Sequence, residues 1–151
     1  AMVVPAVVLA CAVAIAVGAA CGAFNGFIIG YFQLPAMLVT LCGLQLYTGL
    51  AYGITGGPAI NGMCDAFKNI ANGNVPGTPI PWVLVIFIAV LAVVVFIMKC
   101  TVFGHEIYFL GSNAKAAMYS GINTLKVTIM TYMFSGILGG ISGILITSHL
   151  N

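Results

Sequence analysis

Charge is what this sequence lacks. Its 151 residues hold two acids and four basic side chains, all four of them lysine, and nothing ionic precedes Asp65. Charged residues make up 4% of the chain and apolar ones 62%. A soluble domain carries about a quarter of its residues as charges, so no water-facing coat can be built here. Mean hydropathy is +1.20, and the solvent for most of the chain is lipid. No basic stretch marks a nucleic-acid partner.

Other absences narrow the chemistry. There is no G-x-x-x-x-G-K-[ST] phosphate cradle, no H-E-x-x-H and no G-x-S-x-G, so neither nucleotide hydrolysis nor a membrane-embedded hydrolase has its residues. No C-x-x-C and no His/Cys spacing for a metal occurs. Cys11, Cys21 and Cys42 fall in apolar stretches, where a thiol acts as a small hydrophobe; Cys64 stands in a polar loop and Cys100 at the end of a span. A signal peptide needs a basic start and a short apolar core; this start has no base, and its apolar run is too long. The faint lipoprotein-like Val8-Leu9-Ala10-Cys11 fails for the same reason.

What is present is a set of long apolar runs. A membrane span needs about 20 residues, and residues 2–24, 34–54, 81–98 and 127–148 supply four. In lipid a run this long satisfies its backbone only as a helix. The expected fold is an all-α, polytopic membrane bundle with about four transmembrane helices and a short cytoplasmic helix. The abrupt apolar start and end suggest one partial transmembrane domain, residues 1–151, cut from a longer protein.

Lys99, Lys115 and Lys126, opposed only by Glu106, lie in the loop 99–126. Lysine excess marks cytoplasmic loops, which puts loop 55–80 and its Asp65–Lys68 pair outside. That pair reads as a solvated helical-turn contact.

Gly18, Gly22, Gly26 and Gly30 recur every fourth residue, and Gly136 with Gly140 and Gly139 with Gly143 repeat the device beside Ser135 and Ser142. Such seams let helix backbones touch where lipid offers no hydrophobic driving force. Packing is the first reading and a hinge the second. Intramembrane polar residues are costly unless paired or facing a cavity. Asn25 and Gln45 read first as interhelical hydrogen-bonding residues and second as the lining of a polar pathway. Thr40, Tyr47, Thr48, Thr128, Thr131 and Tyr132 are common enough in membrane helices to be bland.

Within loop 99–126, Asn113 is a good N-cap, residues 114–120 are helix formers and Gly121 fits the left-handed stop. A helix of two turns, about 10 Å long, is marginal in water alone. Its small face of Ala116, Ala117 and Gly121 suggests a partner's groove; an amphipathic connector lying on the membrane is the alternative.

The run Phe103-Gly-His-Glu-Ile-Tyr-Phe-Leu-Gly-Ser-Asn-Ala-Lys-Ala-Ala-Met-Tyr-Ser-Gly-Ile resembles the cytoplasmic signature of the ribose/xylose/galactose-type permeases of bacterial ABC importers, FG-x-x-I-Y-A-x-G-G-N-x-x-A-A-x-x-S-G-I. Tyr132-Met-Phe-Ser-Gly-Ile-Leu-Gly-Gly-Ile-Ser-Gly, Asn25-Gly26, Leu34-Pro-Ala-Met-Leu-Val-Thr-Leu-Cys-Gly, Thr48-Gly-Leu and Gly56-Gly57 are similar to that family's neighbouring spans, in order. Ser112 stands where the family has Gly, and His105 where Arg is common. The resemblance implies the middle portion of a bacterial inner-membrane permease that moves a monosaccharide; sugar hydroxyls suit neutral donors, acceptors and aromatic surfaces, which makes Asn25, Thr40, Gln45 and Tyr47 the candidates for its solute pathway. It implies that Asn113, Ala116, Ala117 and Gly121 lie in a coupling helix that docks on a cytoplasmic ATPase. ATP is then bound by that partner, and this chain needs no cofactor. The other implied partners are an extracytoplasmic sugar-binding protein and a second permease subunit, as a homodimer. Related permeases for nucleosides or branched-chain amino acids are the nearer alternative. A purely structural membrane subunit is the more distant one.

Overall fold

The computed structural model describes residues 3–57 and 81–150, and every regular element among them is a helix. The order is α1 (Val3–Phe32), α2 (Ala36–Thr55), α3 (Trp82–Cys100), α4 (Val102–Ser112), α5 (Ala114–Tyr119) and α6 (Thr124–Leu150). α1, α2, α3 and α6 are long and apolar enough to cross a membrane; α3 is the most apolar and α2 the least. The chain is an all-α polytopic membrane bundle. The Asp65–Lys68 pair and Cys64 lie outside the described residues.

Two boundaries differ from the sequence reading by three residues or more. The first span does not stop at residue 24: α1 runs for 30 residues to Phe32 and carries its whole glycine series inside the helix. Glycine costs a helix about 1 kcal/mol in water. In lipid an unmade backbone bond costs more, and here a second helix also lies against the seam. Such a helix is about 45 Å long, so it crosses the hydrocarbon core with length to spare for tilt. The last span begins at Thr124 rather than 127, because Asn123 caps it: its Oδ1 accepts from the Lys126 amide at 3.1 Å. Between α1 and α2 the chain turns at Gln33, which takes a left-handed φ of 51°. Pro35 then opens α2, and Gly56 (φ 71°) closes it, donating its N–H to the Tyr52 carbonyl at 2.9 Å.

Packing is uneven. α6 lies along α1 as the principal interface of the bundle, whereas α2 touches α1 over a short stretch and α3 makes its substantial contacts with α4. Along the α1–α6 seam a Cβ added at Gly18 would stand 2.5 Å from the Gly136 carbonyl oxygen, and one at Gly26 would stand 2.8 Å from the Ile129 Cα. At Gly22 it would run into the Tyr132 carbonyl, and at Gly136 into that of Gly18. At Gly140 it would come within 3.1 Å of the Ala14 carbonyl oxygen. Gly30 is looser, 3.6 Å from Leu125. Gly139 and Gly143 have nothing within 4 Å and make none of these close contacts, although Gly143 lines a groove beside the seam with Gly140, Ala10 and Ala14.

Candidate functional site

Loop 99–126 contains two helices, not one. α4 follows α3 almost without a break. Thr101 ends α3 and caps α4, its Oγ1 accepting from the Gly104 amide at 3.2 Å. Gly104 is buried against the end of α3, where a Cβ would strike the Met98 carbonyl. The corner is therefore closed by a residue with no side chain. In the sequence Gly104 and Gly111 look like helix breakers, so the local pattern alone does not show α4. α4 also packs on α6, so this segment touches two spans at once.

α5 is held at both ends. The Asn113 Oδ1 accepts from the Lys115 and Ala116 amides, each at 3.1 Å. At the other end Gly121 takes φ 83°. Its N–H donates to the Met118 carbonyl and that of Ile122 to the Ala117 carbonyl, both at 3.1 Å. This is the Schellman stop, which satisfies carbonyls that a helix end otherwise leaves open. Six residues so enclosed form a short, stiff block.

The four residues assigned to a coupling helix divide in the structure. Asn113 spends its side chain on the cap and Gly121 supplies the left-handed turn. Ala117 is 2% exposed and faces the chain's own bundle. That corrects the single small partner-facing surface of Ala116, Ala117 and Gly121: α5 sits on α6, and the small Ala117 is what lets it sit close. The outward side carries Ala116, Met118 and, at 85% exposure, Tyr119.

The four residues considered for a solute pathway also divide. Asn25 and Tyr47 come together: the Tyr47 hydroxyl lies 3.1 Å from the Asn25 Oδ1 and 3.1 Å from the Cys21 carbonyl oxygen. Gly43 makes room for them, since a Cβ there would stand 3.0 Å from Asn25 Oδ1. This polar knot is the tie between α1 and α2. Beside it runs an apolar groove of ≈ 450 Å³ lined by Phe24, Ile28, Leu38, Val39 and Leu46. Thr40 is exposed and donates to the Ala36 carbonyl of its own helix at 2.9 Å. Gln45 is exposed on the side of α2 turned away from α1.

A family model described as a branched-chain amino acid transport system permease component matches residues 1–151. The chain belongs to that family. It is 35% identical over 132 residues to the ribose import permease of Haemophilus influenzae, covering 84% of the chain and 40% of that protein. It is 30% identical over 128 residues to the L-arabinose transport system permease of Escherichia coli, covering 83% and 38%. With the autoinducer 2 import permease of Photorhabdus laumondii the identity is 32% over 130 residues, covering 84% and 38%. The chain thus spans about two fifths of the length of these curated relatives. No solved structure matches it significantly. Family and helices together make this a multi-pass inner-membrane chain.

Proposed function

We propose that the chain is the part of an ATP-driven importer's permease that carries the coupling segment, and that the importer moves a neutral monosaccharide. The observation that carries this reading is the enclosed helix α5, between Asn113 and Gly121, in a chain whose relatives are named as ribose and arabinose permeases. A cytoplasmic ATPase subunit would press on the outward side of α5 at Ala116, Met118 and Tyr119. Lys115 within it, and Lys99 and Lys126 on either side, fit the cytoplasmic side.

Capping gives the proposal its mechanics. A frayed helix would absorb a push by unwinding, whereas one closed at both ends moves as a block. α5 rests on α6 through Ala117, and α4 contacts both α3 and α6. Displacement of α5 would therefore reach two spans, one of them joined to α1 by the glycine seam. Nucleotide would be bound and hydrolysed by the partner. An extracytoplasmic binding protein would deliver the sugar, and a second permease copy would complete the path.

The family model's description raises an amino acid as the solute. Its carboxylate and ammonium would enter spans with no acidic side chain among the described residues and with lysine only at their ends. A sugar brings hydroxyls alone and makes no such demand. The test is uptake by the full-length permease reconstituted with its ATPase and binding protein. Labelled pentoses or hexoses should accumulate only with ATP, while labelled leucine should not. Accumulation of leucine alone would overturn the choice of solute, and ATP-independent accumulation would overturn the coupling.

A further inference from the structure

The face of α2 turned away from α1 is polar, on the least apolar of the four spans, and nothing among the described residues answers it. Gln45, Thr48, Gly49 and Tyr52 fall at spacings of three, four and seven, which places them on one side of a helix. Gly43 and Tyr47, which meet α1, lie on the opposite side. Gln45 is exposed, Tyr52 is 61% exposed, and neither side chain makes a hydrogen bond among the described residues. Thr48 gives its proton to the Leu44 carbonyl at 2.7 Å and keeps its lone pairs free. Between the amide and the phenol, Gly49 leaves the backbone bare, with nothing within 4 Å of where a Cβ would stand.

We infer that this face, from Gln45 through Gly49 to Tyr52, is a solute-binding face for a neutral, polyhydroxylated ring, and that Asn25 and Tyr47 are structural. The inference rests on the permease reading above and sorts its candidate residues. Three observations favour a sugar over lipid or another helix.

Gln45 stands near the middle of the 20-residue helix, where an amide facing hydrocarbon is most costly. The polar helix contact this chain builds, α2 on α1, is closed by the hydrogen bond from the Tyr47 hydroxyl to the Asn25 Oδ1 beside Gly43, whereas the amide and the phenol of this face have no such bond among the described residues. Gln45 and Tyr52 are about 10 Å apart along the axis, enough for a six-membered ring to lie over Gly49. There the amide would donate and accept and the phenol would stack or donate. The face carries no ion, which suits a solute with none.

The experiment uses the full-length permease assembled with its ATPase and binding protein in vesicles, with a panel of labelled monosaccharides. Gln45→Leu and Tyr52→Leu should each raise the sugar concentration for half-maximal uptake about tenfold, the loss of roughly one good hydrogen bond. Gly49→Leu fills the notch with a better helix former and should cut the maximal rate at least tenfold. All three should co-purify with the ATPase at the wild-type yield. Gln45→Cys and Tyr52→Cys, in a background without other cysteines, should react with a small water-soluble thiol reagent more slowly when sugar is present, and Leu50→Cys should show no such protection. Unchanged uptake in all three leucine variants, with a wild type that moves sugar, overturns this inference and leaves the permease reading standing. Loss of assembly in these variants also overturns it, by making the face a helix contact. A wild-type complex that moves leucine and no sugar overturns both.

Discussion

Where α6 meets α1, glycine faces glycine and backbone lies on backbone for several turns. Where α2 meets the same helix, one tyrosine hydroxyl reaches across to an asparagine beside a single glycine. In lipid the first arrangement gains its energy from many small dispersion contacts that need close approach. The second gains it from one hydrogen bond, which two helices can break and remake at little cost. A transporter needs both kinds of joint: a pair of spans that moves as one body, and others that can shift against it. α3, which leans on α4, belongs with the second kind. The contrast assigns rigidity to α1–α6 and freedom to α2 and α3.

The largest effect should come from the seam. Gly22→Leu would drive a side chain into the Tyr132 carbonyl, and a backbone cannot step aside as a flexible side chain can. Overpacking of that kind costs about 3 kcal/mol. Thermal unfolding of the detergent-solubilised transporter should shift sharply down, or the protein should fail to assemble. Gly139→Ala, on the open face of α6, should leave unfolding unchanged. If the two variants behaved alike, the seam would not be the rigid joint.

The corner between α3 and α4 comes next. Gly104→Ala places a methyl group against the Met98 carbonyl and should cost about 2 kcal/mol while turning α4 on α3. ATPase activity of the assembled transporter should lose its stimulation by loaded binding protein while binding of the ATPase persists. Full stimulation would show that the corner transmits nothing.

Much of the fold was legible in the sequence, because one physical fact dominates it: in lipid, long apolar runs must be helices. The caps of α5 were legible too, since Asn113 and Gly121 act through their own local backbone. Three things were not. α4 was hidden because its two glycines look like breakers until the end of α3 is seen beside Gly104. The inward turn of Ala117 depends on where α6 lies, and six residues of local sequence do not say. The pairing of Asn25 with Tyr47, and the separation of both from Gln45, requires knowing which side of α2 meets α1. Each miss concerns a contact between elements, and each residue type was ambiguous until its neighbour was placed.

A smaller effect should follow from uncapping α5. Asn113→Ala removes the acceptor for two amides and should cost about 1 kcal/mol. For a six-residue helix that is a large share of its stability. Protein stability should barely change, since α5 is peripheral, but hydrogen exchange at Lys115 and Ala116 should accelerate and ATP-driven uptake should fall several-fold. Asn113→Asp, which keeps a capping oxygen, should restore both. Failure of aspartate to rescue would mean that the asparagine serves the partner directly rather than the helix end.

The smallest effect is expected at the tie between α1 and α2. Tyr47→Phe keeps the ring and removes only the proton shared between the Asn25 Oδ1 and the Cys21 carbonyl, both 3.1 Å away. Interhelical hydrogen bonds in membranes average about 0.6 kcal/mol, and the Cys21 carbonyl is already taken up in its helix. Asn25 keeps its amide, which can turn toward other backbone. Unfolding should therefore shift by no more than that amount, and uptake should stay within about a factor of two. A tenfold loss of uptake with unchanged stability would mean that sugar meets Tyr47, so that the side of α2 facing α1 lines the path and the side bearing Gln45 packs against protein. Because Gln45→Leu makes the opposite prediction, the two variants measured side by side decide which way α2 faces.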